Sequence, residues 1–459
     1  MSPRHLRSHI VVRVGDGDAY LPAPQPYETT LPLAFQAPSA LATSRVSDSI
    51  WLGLDQHALS PAVPAIDFYR MAAAVYAADA RILRDAAFDR WTRDLVLHLP
   101  VSDLAAWEGV RPSLVRLLQF LTGDRWQLVV RPGAPSRPPV DRRVAAGTGA
   151  PDIGAVALLS GGLDSFVGAL DGFADGKCLL LVSHNAAGPA RFSSPAQDAV
   201  LRAVAHVAGR PVAHLKMTVS PPPRADGVAA EPSQRSRSII FIALGVLAAS
   251  AYPAGTPLVV AENGFVSLNV PMTYGRLGSL STRTTHPHTL ALIGEVLVGL
   301  GLAVPLVTPY RFMTKGQMLV ETRAREALAT TCHATNSCAR SYDRNASANR
   351  PQAHCGYCVP CIIRRAAMHH AGLDDVARYR YDVLTERAML VGSPDLRRDP
   401  WAFEMALARA ERRATVTDVL RAGPLAGPPA DVDRYVQVYR NGLNEISEFV
   451  RGRPLFGSE

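Results

Sequence analysis

Lysine is almost missing from this chain. Only Lys177, Lys216 and Lys315 stand among 48 basic residues, and the rest are arginine. An arginine-rich genome composition accounts for such a bias, but a lysine kept against it suits a place that needs a compact ammonium rather than a planar fork. Long apolar runs are missing too. The longest, Ile239–Ala251 and Leu290–Val307, are too short or are broken by Glu295, so they read as buried helices and no membrane span is expected. Met1–Ile10 has no apolar core of the kind a secretory leader carries. Cysteine is scarce, six in 459 residues, and four of the six cluster late in the chain, which speaks for metal rather than a disulfide framework. These absences together give a cytoplasmic expectation. Aromatics make up 7% and are nowhere interleaved with basic residues in an RNA platform, so nucleic acid is not an expected partner. The formal charge of +8 then suits phosphate-bearing small molecules. No internal repeat is evident.

What is present begins with Ser160-Gly161-Gly162-Leu163-Asp164-Ser165. It follows the apolar run Val156–Leu159 and leads into Phe166–Leu170, so it reads as strand, tight turn, helix. Two glycines allow a sharp turn and close approach of a ligand. The new helix aims unpaired N–H groups and its positive end at the turn, which favours an anion. Ser160 and Ser165 add hydroxyls, and Asp164 can hold Mg2+ beside a polyphosphate. The Lys-Ser/Thr ending of a Walker loop is absent, which excludes that class of kinase or GTPase loop. SGGLDS resembles the PP-loop signature of ATP pyrophosphatases, which cleave ATP between its α and β phosphates to adenylate a substrate.

The length fits two or three domains. Residues 1–130 mix strand-like segments (His9–Val14, Arg93–Val101, Trp126–Arg131) with helix-like ones (Ile66–Leu83, Ser113–Leu121), which predicts an N-terminal α+β domain without a catalytic constellation. Residues 131–153, rich in Pro, Gly and Arg, read as a linker. From 154 to 375, strands at Val156–Leu159, Cys178–His184, Val212–Thr218, Leu258–Ala261 and Ala303–Thr308 alternate with helices near Ser165–Phe173, Pro195–Ala208, Arg237–Tyr252 and His288–Leu300. That is the α/β pattern of a parallel sheet, whose ligands bind at the carboxyl ends of the strands. SGGLDS, His184-Asn185 and Glu262-Asn263 all fall at such ends, making His184, His286 and Glu262 candidate general bases. Residues 376–459 read as a helical C-terminal extension without an assignable motif.

A second constellation is Cys338, Cys355, Cys358 and Cys361, spaced C-x16-C-x2-C-x2-C. Zn2+ suits four thiolates on a tetrahedron, and four protein ligands leave no open position, so the expected role is structural. An iron–sulfur cluster is the rival, since C-x2-C-x2-C is also a cluster spacing. Cys332 reads as a core residue and Cys178 as part of a strand.

With both constellations placed, residues 154–375 resemble the QueC family, the 7-cyano-7-deazaguanine synthases. The matching segments occur in the family's order. SGGLDS is followed by Gln234-Arg235-Ser236-Arg237-Ser238, where the family has a Gly-Arg-Asn stretch before a buried helix. Glu262-Asn263 stands where a strand ends in an asparagine-bearing substrate loop. Thr314-Lys315 precedes a helix, and Thr335-Asn336-Ser337-Cys338 with His354-Cys355-Gly356-Tyr357-Cys358-Val359-Pro360-Cys361 matches the zinc segment. The resemblance implies a PP-loop domain of the adenine nucleotide α-hydrolase-like kind that uses ATP, Mg2+ and Zn2+. Carried over, Ser160, Gly161, Gly162, Leu163, Asp164 and Ser165 would hold pyrophosphate and magnesium, with His184 and Arg235 also on the nucleotide. Asp164, Arg237 and Lys315 would be catalytic, the cations neutralising charge as the phosphate bond breaks. Asn263, Asn269, Thr282, Arg283 and His286 would meet the deazaguanine.

The departures shape the functional expectation. The chain is roughly twice a typical synthase. Its loop from Ser267-Leu268-Asn269-Val270-Pro271-Met272-Thr273 to Gly278–Pro287 is similar to that of the QatC type, QueC-like proteins of anti-phage defence operons. That resemblance implies a ligase that adenylates a 7-deazaguanine carboxylate and passes it to an amine, with a protein encoded in the same operon as the expected acceptor through its N-terminus. A housekeeping synthase using ammonia and a tRNA-modifying PP-loop enzyme are the competing readings. A nucleotide-binding scaffold without turnover is a fourth.

Overall fold

In the computed structural model of the chain, the described residues are 7–36 apart from Asp16 and Pro24, then 43–133, 152–185, 193–224, 231, 235–273, 283–340, 354–386, 392–410 and 415–451. Within them the chain builds two sheets. The larger contains β6 (Ala155–Leu158), β7 (Leu179–Asn185), β8 (Ala213–Ser220), β9 (Leu258–Val259) and β10 (Leu306–Val307), all parallel. Every residue of β6 and β7 is buried, the signature of parallel strands covered by helices on both faces. Strand order is β10-β9-β6-β7-β8-β3, where β3 (Ser47–Asp48) belongs to the N-terminal region and pairs antiparallel with β8. The chain leaves β6 towards β7 and β8, then returns to β9 and β10 on the other side. This reversal opens a crevice beyond the carboxyl ends of β6 and β9, the place where such sheets bind ligands.

The N-terminal sheet, in order β2-β1-β4-β5, comprises β1 (Arg7–Val14), β2 (Glu28–Phe35), β4 (Asp94–Val101) and β5 (Arg125–Pro132). All its pairings are parallel, so the α+β expectation for residues 1–130 gives way to α/β. Its strands are linked through α1 (Ile50–Gln56), α2 (Val63–Arg81) and α3 (Leu104–Thr122). The β2 strand was not anticipated because Pro32 interrupts it. Proline is tolerated there since β2 is an edge and needs no N–H on its outer side. The α3 helix starts well before the expected Ser113, because Asp103 accepts the Ala106 N–H and caps it.

This region does not close around a core of its own. α2 packs on α6 (Arg237–Ala249) and α3 on α8 (Pro287–Gly299). Ile10, Phe68, Leu97, Val156, Leu244, Leu258 and Ile293 belong to one contiguous apolar core. Each such side chain contributes about 1.5–3 kcal/mol by leaving water. A handful on a shared face therefore matches the whole margin of an ordinary domain, about 5–15 kcal/mol. Most of the expected linker, 134–151, lies outside the described residues.

On the other side of the larger sheet lie α4 (Leu163–Ala174) and α5 (Ser193–Ala208). They are followed in the chain by α7 (Gly264–Leu268), α9 (Lys315–Glu321), α10 (Arg325–Thr331) and α11 (Val359–His370). The C-terminal extension is helical as expected: α12 (Pro394–Ala410), α13 (Val416–Leu420) and α14 (Pro429–Val450). It buries Phe403, Tyr435 and Leu443 against Phe265, Cys358 and Ile362 in a second core. No described helix is long and apolar enough to cross a membrane.

Candidate functional site

The glycine loop forms the strand–turn–helix predicted for it. Gly161 takes φ of +82°, which favours glycine, and a Cβ there would also crowd Gln197 of α5. The hydroxyls of Ser160 and Ser165 lie 3.0 Å apart. The Gly162 N–H donates to Ser160 Oγ (3.2 Å) and Ser165 Oγ donates to the Gly162 carbonyl (3.0 Å), so the turn is braced by its own serines. No side chain caps α4, which leaves its first-turn N–H groups for a ligand.

Asp164, in that first turn, is buried and central. Its Oδ2 accepts from the Asn263 backbone N–H (3.1 Å) and side-chain Nδ2 (2.6 Å), and its Oδ1 pairs with the Lys315 ammonium. Burial opposes its charge, but the Lys315 ammonium and hydrogen bonds from Glu262, Lys315 and Asn263 outweigh burial and hold the carboxyl down at about 2. Glu262 goes the other way. Burial first, then the Asp164 charge, raise it well above the usual carboxylate range, so it stays protonated and donates to Asp164. One cation, one carboxylate and one carboxylic acid thus share the floor of the crevice.

Lys315 reaches this floor because Thr314 caps α9 in a reciprocal box with Gln317. Glu445 of α14 then accepts from Thr314 Oγ1 and from the Gly316 N–H. A Cβ at Gly316 would collide with Glu445, so the extension seats directly on the lysine's helix.

The crevice is a cavity of about 680 Å3, within the range of small-molecule sites. Ser160, Gly162, Leu163, Asp164, Ser165, Glu262, Asn269 and Lys315 line it, as expected. Its walls also hold residues that were not among the expected site residues, some of them inside segments the sequence had marked. Ser238, Phe241 and Ile242 come from α6, Val270–Met272 and Thr284–Thr285 from the long loop, and Arg398–Asp399 from α12. The Thr285 hydroxyl accepts from Ser267 (3.2 Å). A signal existed for Thr284 and Thr285, within the hydroxyl-rich run, but none for the α12 pair.

The four cysteines converge. Their sulfurs all lie within 4.8 Å of one another, with Cys338–Cys358 at 3.9 Å and Cys355–Cys361 at 3.8 Å. Four sulfurs about 2.3 Å from one tetrahedral ion stand about 3.8 Å apart. The spacing is that of a single ion such as zinc, whereas a multi-iron cluster places its thiolates on different irons and spreads them further. Backbone N–H groups of Cys355, Cys358 and Arg340 also point at the sulfurs (3.4 Å each), and such donors stabilise thiolates. The centre is structural for the cavity as well. The Asn336 N–H donates to the Gly161 carbonyl (2.9 Å), and Asn336, Ser337, Arg340 and Cys358–Pro360 line the cavity together with the glycine loop. Cys332 is buried in the core, as expected.

Several expected ligand residues are placed elsewhere. Arg235 donates to the Thr122 carbonyl (3.1 Å) and lies over Trp91, outside the cavity lining. Burial first, then the Arg84 charge, lower its pKa to about 10. Arg237 begins α6 and does not line the cavity either. His184 packs edge-on against Tyr76 of α2, with burial and then Arg237 holding it neutral at about 4. Arg283 donates to the Phe120 carbonyl of α3 (3.2 Å), and His286, fully buried, caps α8 and packs on Phe120. Burial and then Arg283 hold His286 at about 3. The reason is common: the N-terminal helices α2 and α3 or their flanks occupy the side of the sheet these residues face. Asn263 corrects differently. It is buried with Nδ2 on Asp164 and Oδ1 on the Val266 N–H (3.0 Å), so it positions Asp164 instead of meeting a base. Thr282 lies outside the described residues.

No family model, curated protein or solved structure matches this chain.

Proposed function

We propose that the chain is an ATP-dependent ligase of PP-loop type that adenylates the carboxylate of a 7-deazaguanine and transfers the acyl group to an amine. The observation that carries this reading is the uncapped, glycine-turned start of α4 with Asp164 beside Lys315 at the strand-order reversal, under a wall built by the cysteine centre. A loop of this kind binds phosphates by backbone N–H groups, and Asp164 is the side chain suited to Mg2+. Magnesium there would neutralise charge on the phosphates of the substrate ATP. The chain's own part is to orient. Asn263 fixes the Asp164 carboxylate, the Thr314 cap aims the Lys315 ammonium, and the apolar wall of Phe241, Ile242, Val270 and Met272 excludes water from an activated acyl group. In the reaction a carboxylate oxygen attacks the α-phosphorus and pyrophosphate leaves. The amine then attacks the acyl carbon, loses a proton, and AMP leaves.

The acceptor amine is, on this reading, a partner protein's N-terminus in anti-phage defence, and the cysteine centre holds zinc. The test is to incubate the purified protein with ATP, Mg2+ and 7-carboxy-7-deazaguanine, with and without a co-expressed neighbouring-gene protein. AMP and pyrophosphate release together with an acyl-sized mass gain on the partner, both lost in Asp164→Asn, is the expected result. Nitrile from ammonia alone would return the chain to nucleoside biosynthesis, and no AMP with any acceptor would end the ligase reading.

A further inference from the structure

The arginines expected to meet phosphate, Arg235 and Arg237, do not line the cavity, yet the cavity is not without a guanidinium. Its carboxyl groups can be assigned partners one by one. Asp164 pairs with Lys315, and Glu262 is a neutral acid bonded to Asp164. Asp399 pairs with Arg398 (3.4 Å) and accepts the Val359 N–H at the start of α11 (3.3 Å). Arg340 makes no such pair. It lines the same cavity, and among the described residues no carboxylate lies within 4.0 Å of it. Its guanidinium is instead laid over the Tyr357 ring, 5.2 Å from the centroid, which restrains the side chain. Burial opposes its charge, but Tyr357, Asp399 and the sulfurs of Cys355 and Cys358 outweigh burial. Its backbone is tied down as well, the Arg340 N–H donating to Cys338 Sγ (3.4 Å).

We propose that Arg340 is the anion-recognition residue of this cavity, presented by the cysteine segment to receive an oxyanion of the ligand that the glycine loop binds. The inference rests on the proposed ligase reading, because it takes its ligand from there. Two groups offer the required oxygens, a phosphoryl group of the nucleotide and the carboxylate of the heterocycle. A planar fork over a tyrosine serves either. The start of α11 adds to the same field, and Asp399 already shows that this helix end takes an anion.

Isothermal titration of the full chain with inorganic pyrophosphate, and separately with 7-carboxy-7-deazaguanine, separates the two sources. Arg340→Met is expected to weaken one of them on the order of tenfold to a hundredfold, with Arg340→Lys recovering part of the loss. The ligand that loses affinity is the one Arg340 holds. Unchanged metal content and circular dichroism in Arg340→Met would show that the cysteine centre and fold survive. Should the wild type bind both anions and Arg340→Met bind both equally well, the assignment of Arg340 is wrong while the ligase reading stands. Should the wild type bind neither, the ligase reading itself fails, and this inference with it.

Discussion

Two buried clusters of charge in this molecule look alike on paper and behave as opposites. At the join between the N-terminal helices and the larger sheet, Arg84 and Arg93 both grip Asp124, at 2.9 and 2.6 Å, and Arg93 bridges on to Asp79 (2.8 Å). Asp79 also accepts the N–H and hydroxyl of Ser236 (2.9 Å each), and Arg235 and Arg84 lie against one Trp91 ring. Two arginines answer two aspartates, with further protein donors and acceptors around them. At the cavity floor, by contrast, Asp164 and Glu262 share the single ammonium of Lys315, and a proton on Glu262 makes up the difference. The first cluster is closed and holds elements together. The second is short of cations and opens onto a cavity, the condition in which an incoming cation or anion changes the balance.

Removing the metal proposed for the cysteine centre is expected to have the largest effect, and it falls on one region only. Structural tetrathiolate sites hold on the order of 10–16 kcal/mol of binding free energy that is also folding free energy. Chelation, or Cys361→Ser, should release one ion per chain, free the segments 335–340 and 354–361, and abolish ligand binding. Hydrogen exchange should meanwhile leave β1, β4 and β5 protected. Equal loss of protection in both sheets would mean that the cysteine centre supports the whole molecule.

A paired substitution tests the contrast itself. Asp124→Asn leaves Arg84 and Arg93 buried around a neutral amide and should cost about 3–5 kcal/mol of stability, measured by denaturant unfolding. Asp164→Asn should cost clearly less, since the cavity admits water to Lys315, while lowering pyrophosphate release by about a hundredfold or more. If the two variants lose similar stability, the floor cluster is as structural as the joint.

The smallest effect concerns acid. His184 and His286, placed against the N-terminal helices, are held neutral in the fold, chiefly by burial, at about 4 and about 3. Below about 6.5 the unfolded chain takes up protons at these sites that the folded chain refuses, so stability declines as pH falls from there. For His286 the loss between pH 7 and pH 5 is about 2 kcal/mol. His286→Asn, which can still cap α8, should remove that much of the pH dependence of unfolding. An unaltered slope would show that the imidazole takes up its proton in the fold as readily as in the unfolded chain.

How legible all this was depends on the range of the interaction involved. The Ser160–Ser165 turn and the cysteine spacing are written in neighbouring residues, because a strand–turn–helix and a tetrathiolate centre are made largely by residues close in the chain. Arg235 and Arg283 were expected at the ligand from the family resemblance, and His184 and His286 from lying near strand ends, each having a side chain suited to a ligand. Whether it meets a ligand or α2 and α3 is set by residues over a hundred positions away. Asn263 was recognised as important and given the wrong partner, since nothing local says that its amide is used up on Asp164 and Val266. Arg398 and Asp399 carried no signal, being ordinary charges on an amphipathic helix until the second core brings α12 over the cavity.

By itself, then, the sequence determined the parallel α/β character of the larger sheet, the glycine turn with its aspartate and serines, and the four thiols able to surround one ion. These follow from backbone sterics and short spacings, which neighbouring residues largely settle between themselves. Only the tertiary structure decided that the N-terminal sheet is parallel and shares its core with the second. It also decided that the C-terminal helices complete the cavity, and that Arg340 rather than Arg235 lines it. Those outcomes depend on which apolar faces bury one another, and burial is a property of surfaces assembled from distant parts of the chain.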